Sequence, residues 1–209
     1  MRIVTWFVCI FFVVSALPAL AMDTVDRLQE RYDSIESFQA GFVQILTNAA
    51  TREQEERLGR ISFKKPLNVR WESTSPEQEL LIISKDAVWN YFPEEKAVYR
   101  YEKEDILTSR SMIRFISGQA RLTEDFRVED QGMTNDLHKI KLVPKSPEPD
   151  LVLAYIWSDE TGMMHRILLV DFFGNGNELR LMDVDLNPDF SEDFFTFEPP
   201  SGVDVIENH

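Results

Sequence analysis

The sequence predicts a mainly β fold of the α+β class, built on a single large antiparallel sheet that is strongly curved or nearly closed. Runs rich in β-branched and aromatic residues recur along most of the chain, at spacings of about 8 to 12 residues with short turn signals between them. Only two stretches place apolar residues at helical spacing, which is too little helix to cover both faces of so wide a sheet. Two helices over one concave face would leave a space beneath them that need not be packed.

The centre of the predicted sheet is an antiparallel meander within residues 58–93. Its four strands are predicted at residues 61–63, 69–71, 80–83 and Val88–Phe92. Val69 and Trp71 share one face of their strand, whereas every residue of 80–83 is apolar, so the third strand is apolar on both sides. A strand of this kind needs a covering layer on each face or a cavity on one of them.

The other elements follow from the same patterns. A first strand is predicted at residues 38–46, with Phe38, Ala40 and Phe42 on one side, and the charged run within 47–57 is interpreted as a solvated loop. Helical spacing predicts helices at 23–36 and 105–118. The remaining strands are predicted at Ala97–Tyr101, 126–130, 137–143, 151–157, 163–172, 178–185 and 194–197. The pattern leaves open whether residues 203–209 close the sheet or hang loose.

The N-terminus has the pattern of a secretory signal peptide, residues 1–21, with cleavage expected after Ala21. Arg2 precedes an apolar run over residues 3–14, which is short for a membrane span of about 20 residues. The only cysteine, Cys9, lies inside that run. We therefore expect an exported chain of residues 22–209 that has no disulfide and no lipid anchor.

Composition and motifs restrict the possible functions. The formal net charge is −14 and becomes −15 once the leader with Arg2 is removed, which argues against binding to nucleic acid or passive adsorption to anionic lipid. The histidines, His138, His165 and His209, have no metal-ligand spacing, and the chain contains no nucleophile elbow, phosphate loop or dinucleotide fingerprint. We therefore expect no enzyme: no catalytic residue, cofactor or metal is predicted.

Several segments, taken in their order along the chain, resemble the outer-membrane lipoprotein carrier (LolA) family. They are SFQAGFVQ at 37–44, GRISFKKPLNVRW at 59–71, the pair Leu80-Leu81, VWNYFP at 88–93 and FTFEPPSGVDV at 195–205. The resemblance implies an incomplete β-barrel with a lid of amphipathic helices over its apolar concave face. Residues 22–209 would then form one lipoprotein-carrier half-barrel domain.

The same resemblance implies a periplasmic chaperone. It would accept lipoproteins released by an inner-membrane ABC transporter, shield their acyl chains, and pass them to an outer-membrane receptor, as a monomer without stable membrane insertion. Two alternatives remain open: a periplasmic lipid-binding, glycolipid-binding or sensor module of the same fold, and an exported lipid hydrolase. The hydrolase would require Ser, His and Asp side chains that converge within hydrogen-bond reach.

Candidate site residues fall into three groups. Residues expected to line the acyl-chain pocket are Phe42, Val69, Trp71, Leu81, Ile83, Trp89 and Tyr91; by resemblance, Val69 and Leu81 match positions that line the family's pocket. Residues expected in the lid are Leu28, Tyr32, Ile113 and Phe115. The resemblance also implies a latch at Lys65, where the family commonly has an arginine that bonds to the lid backbone. Arg70 is the alternative latch, and Lys65 could instead be a solvated turn residue.

Overall fold

A computed structural model describes residues 23–102, 111–148 and 150–208. These residues form twelve strands and three short helices. The strands are β1 Ser37–Thr47, β2 Gln54–Lys64, β3 Asn68–Ser75, β4 Glu79–Ile83, β5 Val88–Phe92, β6 Ala97–Tyr101, β7 Phe126–Thr134, β8 Leu137–Pro144, β9 Leu153–Ser158, β10 Met164–Val170, β11 Gly176–Leu186 and β12 Asp204–Asn208. The helices are α1 Thr24–Ser34, α2 Ser111–Ile116 and α3 Leu122–Asp125.

All twelve strands belong to one sheet, in the order β12-β6-β5-β4-β3-β2-β1-β11-β10-β9-β8-β7. Neighbouring strands are antiparallel, except that β12 runs parallel to β6. The long strand β1 pairs with β2 on one side and with β11 on the other, and so joins the two halves of the sheet. The edge strands β7 and β12 do not pair with each other, so the sheet stays open. This architecture confirms the predicted mainly β, incomplete barrel.

The structure corrects two predicted segments. Residues 54–57, interpreted as part of a loop, form the start of β2, where Gln54 pairs with Thr47. Their side chains are polar, and three of the four are exposed, which gave the segment the composition of a loop. Residues 194–197 are not a strand, and the last strand is instead β12. The second predicted helix is observed as α2, while its residues 105–110 lie outside the described residues.

The apolar core lies between the concave face of the sheet and the helices. In α1, Val25 and Leu28 recur at helical spacing and are buried. On the outer, convex face, the segment after β11 crosses the sheet, and the Phe197 ring lies 5.8 Å from that of Trp89 and 5.7 Å from that of Tyr91, between centroids. Ile82 of β4 is paired with Trp89 and is fully buried, so β4 is covered on both of its apolar faces.

Candidate functional site

The concave face of the central meander is apolar and buried. In the strand register, Val69 is paired with Ile83 and Trp71 with Leu81, so these four side chains share one face. Phe42 lies on the same face two strands away and is 1% exposed. Five of the seven predicted pocket residues thus lie together, and all five are buried.

A glycine allows the largest of these side chains to pack closely. Gly59 is paired with Phe42 across β1 and β2, and a Cβ at Gly59 would lie only 2.7 Å from the Phe42 ring. Because that space is free of a side chain, the Phe42 ring lies against Trp71, with the ring centroids 4.8 Å apart. The two aromatic rings form part of the concave wall.

Trp89 and Tyr91 do not belong to this face, contrary to the prediction. Trp89 is paired with Ile82 and Tyr91 with Leu80, whereas Leu81 is paired with Asn90. Paired residues project to the same side of a sheet, so the two aromatic side chains lie on the convex face and contact Phe197 there. The prediction was wrong because residues 80–83 of β4 are all apolar, so the neighbouring strand gives no sign of which of its faces is concave.

Helices α1 and α2 cover the concave face. Leu28 of α1 and Ile113 and Phe115 of α2 are buried in the same apolar cluster as Phe42 and Val69. Tyr32 packs against this cluster and donates a hydrogen bond of 2.8 Å from its hydroxyl to Met164 Sδ; burial raises the pKa of Tyr32. All four residues predicted for the lid therefore contact the interior.

Polar contacts surround this apolar cover at its margin. The Lys65 ammonium donates to the main-chain carbonyl of Asp33 at 2.8 Å and to the Glu36 carboxylate at 3.1 Å. The Asp33 carboxylate accepts two hydrogen bonds from Arg121, at 2.8 and 3.1 Å. Lys65 therefore connects the β2–β3 turn to the C-terminal end of α1; its role as a latch stays a prediction.

Arg114 holds α2 in place and was not singled out by the sequence. Its guanidinium donates to Asp125 at 2.9 Å and to both oxygens of Glu148 at 3.0 Å. It also lies 5.6 Å from the centroid of the Phe126 ring. Burial opposes the charged form, but the two carboxylates outweigh it and raise the pKa of Arg114. The one sequence signal was a single arginine within the otherwise apolar run of residues 112–116.

Arg70, the alternative latch, does not contact the lid. It lies on the convex face, where its guanidinium donates a long hydrogen bond of 3.4 Å to the carbonyl of Phe194 and sits 5.4 Å from the centroid of that ring. It also pairs with Glu72 at 2.8 Å. Alternation along β3 separates Arg70 from Val69 and Trp71, so it anchors the C-terminal segment instead.

The interior is not filled throughout. A cavity of about 740 Å³ opens at the end of the half-barrel where β1 ends and β2 begins. Its apolar surface comes from Leu46, Trp71, Leu81, Met112, Ile113 and Leu169. Its remaining lining is mostly polar and includes the carboxylates of Glu53, Glu55, Glu79, Asp150 and Asp171. The cavity therefore joins the apolar face beneath the lid to an acidic mouth.

Asp159, Thr161 and His165 form a cluster with the residue types of a catalytic triad but without its geometry. Asp159 accepts hydrogen bonds from Thr161 Oγ1 at 2.7 Å and lies 2.9 Å from His165 Nε2. The hydroxyl and the imidazole both contact this carboxylate, whereas a nucleophile would require contact with the imidazole. Among the described residues, no group of three or more His, Cys, Asp or Glu side chains is placed to hold a metal ion. In the same part of the chain, no helix has the length and apolarity needed to cross a membrane.

A curved open sheet whose apolar concave face is covered by short helices defines a class of lidded half-barrel proteins. Residues 33–198 match the family model described as outer membrane lipoprotein carrier protein LolA, and the chain belongs to this family. It is 30% identical, over 184 residues, to the outer-membrane lipoprotein carrier protein of Methylococcus capsulatus, covering 87% of this chain and 86% of that one.

Solved structures support the fold at low sequence identity. An uncharacterized conserved protein from Thermus thermophilus superposes with a TM-score of 0.57 at 14% identity, covering 88% of this chain and 97% of that one. The lipoprotein LppX of Mycobacterium tuberculosis superposes with a TM-score of 0.51 at 12% identity, covering 80% and 95%. At such identities the likeness concerns the fold alone.

Proposed function

We propose that this protein is a periplasmic chaperone that binds the acyl chains of lipoproteins on the concave face and carries them to the outer membrane. The observation that carries the proposal is the construction of the lid. Its inner surface is apolar and packs on the apolar wall, while polar bonds at its margin hold it in place. The matched family and the named function of the Methylococcus relative support the same assignment.

This construction suits a ligand that must later leave. Each methylene removed from water contributes about 0.8 kcal/mol, so long acyl chains bound in an open, wet groove would be held too tightly to transfer. A closed lid already buries the wall residues Val69, Ile83 and Phe42. Loading then exchanges lid contacts for acyl contacts, and the net affinity is the small difference between two large burials.

The proposed site comprises the wall and the lid. The wall residues are Phe42, Val69, Trp71, Leu81 and Ile83, and the lid residues are Leu28, Tyr32, Ile113 and Phe115. Loading would take place at an inner-membrane ABC transporter, which supplies the work of extraction, and unloading at an outer-membrane receptor. The chain would be exported, cleaved after Ala21, and act as a monomer without a cofactor or a catalytic residue.

The decisive experiment identifies the bound material. The protein is produced with a tag in its native host, purified from the periplasm without detergent, and examined by intact mass spectrometry. We expect acylated lipoproteins in stoichiometric complex when an outer-membrane receptor is depleted, and an empty protein when the transporter is inhibited. Free phospholipid or glycolipid in their place, unaffected by transporter inhibition, would contradict the lipoprotein role and favour the lipid-binding alternative.

A further inference from the structure

Two phenylalanines stand almost fully in solvent at the tip of the β10–β11 hairpin. Phe172 is 75% exposed and Phe173 is 80% exposed, and their rings are perpendicular, with centroids 5.8 Å apart. The next most exposed large apolar side chain among the described residues is Met133, at 55%. Large apolar side chains in adjacent, fully exposed positions commonly mark a contact site.

The turn holds these rings in a defined position. The Asp171 carboxylate accepts hydrogen bonds from the main-chain N–H and the side-chain amide of Asn175, both at 2.8 Å. The N–H of Gly174 donates to the Asp171 carbonyl at 3.0 Å, and Gly174 adopts a φ of +83°, which favours glycine. Three hydrogen-bonded residues, Asp171, Gly174 and Asn175, therefore hold the turn that presents the two rings to solvent.

The tip lies at the mouth of the cavity. Asp171 and Asn175, which fix the turn, also line the cavity. The Asn175 side chain accepts a hydrogen bond of 3.0 Å from the N–H of Ala49 in the β1–β2 turn, and the adjacent Asn48 lines the cavity as well. Whatever binds the two rings is thus brought next to the opening beneath the lid.

We propose that Phe172 and Phe173 form a contact point for the surface of a lipid bilayer of neutral, zwitterionic headgroups. Two phenylalanine side chains offer at most about 300–500 Å² of apolar surface, whereas each partner in a stable protein complex contributes about 800 Å². The flanking residues Asp171, Gly174 and Asn175 add no apolar area to the tip. So small an apolar area suits a lipid bilayer, because the rings can enter its surface without a partner of complementary shape.

Charge determines the kind of bilayer. The chain has a formal net charge of −14, and the carboxylates of Glu53, Asp150 and Asp171 line the cavity mouth beside the tip. Anionic headgroups would repel this surface. The contact is therefore apolar in origin and weak, so the protein touches the bilayer reversibly. The proposal concerns the tip alone and does not depend on the nature of the cargo.

Vesicle partitioning tests this inference. The exported protein, purified from the periplasm, is sedimented with phosphatidylcholine vesicles, and the bound fraction is measured against lipid concentration. We expect Phe172→Ser combined with Phe173→Ser to lower the partition coefficient at least about tenfold, because the two rings supply the apolar contact. Met133→Ser removes an exposed apolar side chain on β7 and should leave the coefficient unchanged. Unchanged thermal unfolding would show that the variants fold, and Phe173→Ser alone provides a milder second variant.

Four results would overturn the proposal. Equal partitioning of the wild type and the double variant would show that the tip does not drive binding. An equal loss in Met133→Ser would show non-specific adsorption. Binding to native membranes that protease treatment abolishes, together with no binding to the protein-free vesicles, would assign the tip to a protein partner. Stronger binding to vesicles containing phosphatidylglycerol at low salt would likewise contradict an apolar contact made by an acidic protein.

Discussion

The ammonium of Lys65 donates a hydrogen bond of 2.8 Å to the main-chain carbonyl of Asp33. Asp33 lies in the last turn of α1, where carbonyl groups lack helical partners and where the helix dipole favours a cation. Lysine supplies a compact ammonium group, which here bonds Asp33 and Glu36, at a position where an arginine would offer a planar fork. The contact therefore joins sheet and lid through a partly exposed bond that lies outside the apolar core.

Replacing Lys65 should loosen the lid more than it destabilises the fold. Lys65→Leu removes a charged hydrogen bond at a side chain that is 31% exposed. We expect the free energy that holds the lid closed to fall by about 1 kcal/mol. Hydrogen exchange of the α1 amides should accelerate about fivefold, and cargo transfer should be faster. Lys64→Leu, an exposed lysine one residue earlier on β2, is the control. Unchanged transfer kinetics in Lys65→Leu would refute the latch.

A charge on the concave wall should block loading. Leu81→Glu places a carboxylate at the apolar surface of the cavity, where it lacks a partner and disfavours acyl chains. We expect the amount of co-purified lipoprotein to fall at least about tenfold while the circular dichroism spectrum is retained. Leu80→Glu is the matched control, because it makes the same change one residue away on the convex face. Normal loading of Leu81→Glu would show that the wall residues are wrongly assigned.

The fit between α1 and the β9–β10 turn can be tested at Gly162. This residue has a φ of +79°, and a Cβ would overlap the main-chain carbonyl of Arg27 in α1. We expect Gly162→Ala to lower the free energy of unfolding by about 1–3 kcal/mol and to displace α1. Gly132→Ala provides the control, because Gly132 has a φ of +78° and nothing within 4 Å of its added Cβ. If urea unfolding shows the same decrease in the free energy of unfolding for both variants, α1 does not pack on this turn.

The same turn gives a prediction for pH. Burial raises the pKa of the Asp159 carboxyl, but hydrogen bonds from His165, Thr161 and the N–H of Met163 outweigh it and lower the pKa to about 2. A lowered pKa stabilises the fold fully above the ordinary value of about 3.9, and this contribution is lost as the pH falls towards 2.

Asp159→Asn should therefore cost about 1 kcal/mol at pH 6, after allowance for solvent screening. The difference from the wild type should shrink between pH 4 and pH 2. Urea unfolding at a series of pH values measures it, with the exposed Asp189→Asn as control. A difference that stays constant down to pH 2 would mean that the Asp159 carboxylate is not the source.

Local patterns predicted the strands, but not how they meet. Alternation placed Val88–Phe92 and Ala97–Tyr101 within the bounds observed for β5 and β6, because each strand shows its own period of two. The pairing of β1 with β11 and of β12 with β6 joins segments that are far apart in the chain. Such pairings depend on the whole sheet, and the residues of one strand do not indicate which other strand it will pair with.

The candidate site divides in the same way. Val69 and Leu81 could be placed on the concave face because they match family positions, and Phe42 because it shares one side of its strand with Phe38 and Ala40. Trp89 and Tyr91 were assigned to the wrong face, because the strand they pair with, β4, is apolar on both of its faces over residues 80–83. Arg114 was missed for a different reason: its partners Asp125 and Glu148 come from later segments, and only the folded chain brings them together.

The two edge strands of the sheet affect whether the protein associates with other copies of itself. An unpaired edge strand can pair with a strand of a second chain and so lead to aggregation. Here one edge strand, β12, is only five residues long. On the other edge, β7 has a break in its pairing between Asp130 and Met133 and exposed charges at Arg127 and Glu129. We expect both devices to discourage polymerisation, so that each copy remains solitary.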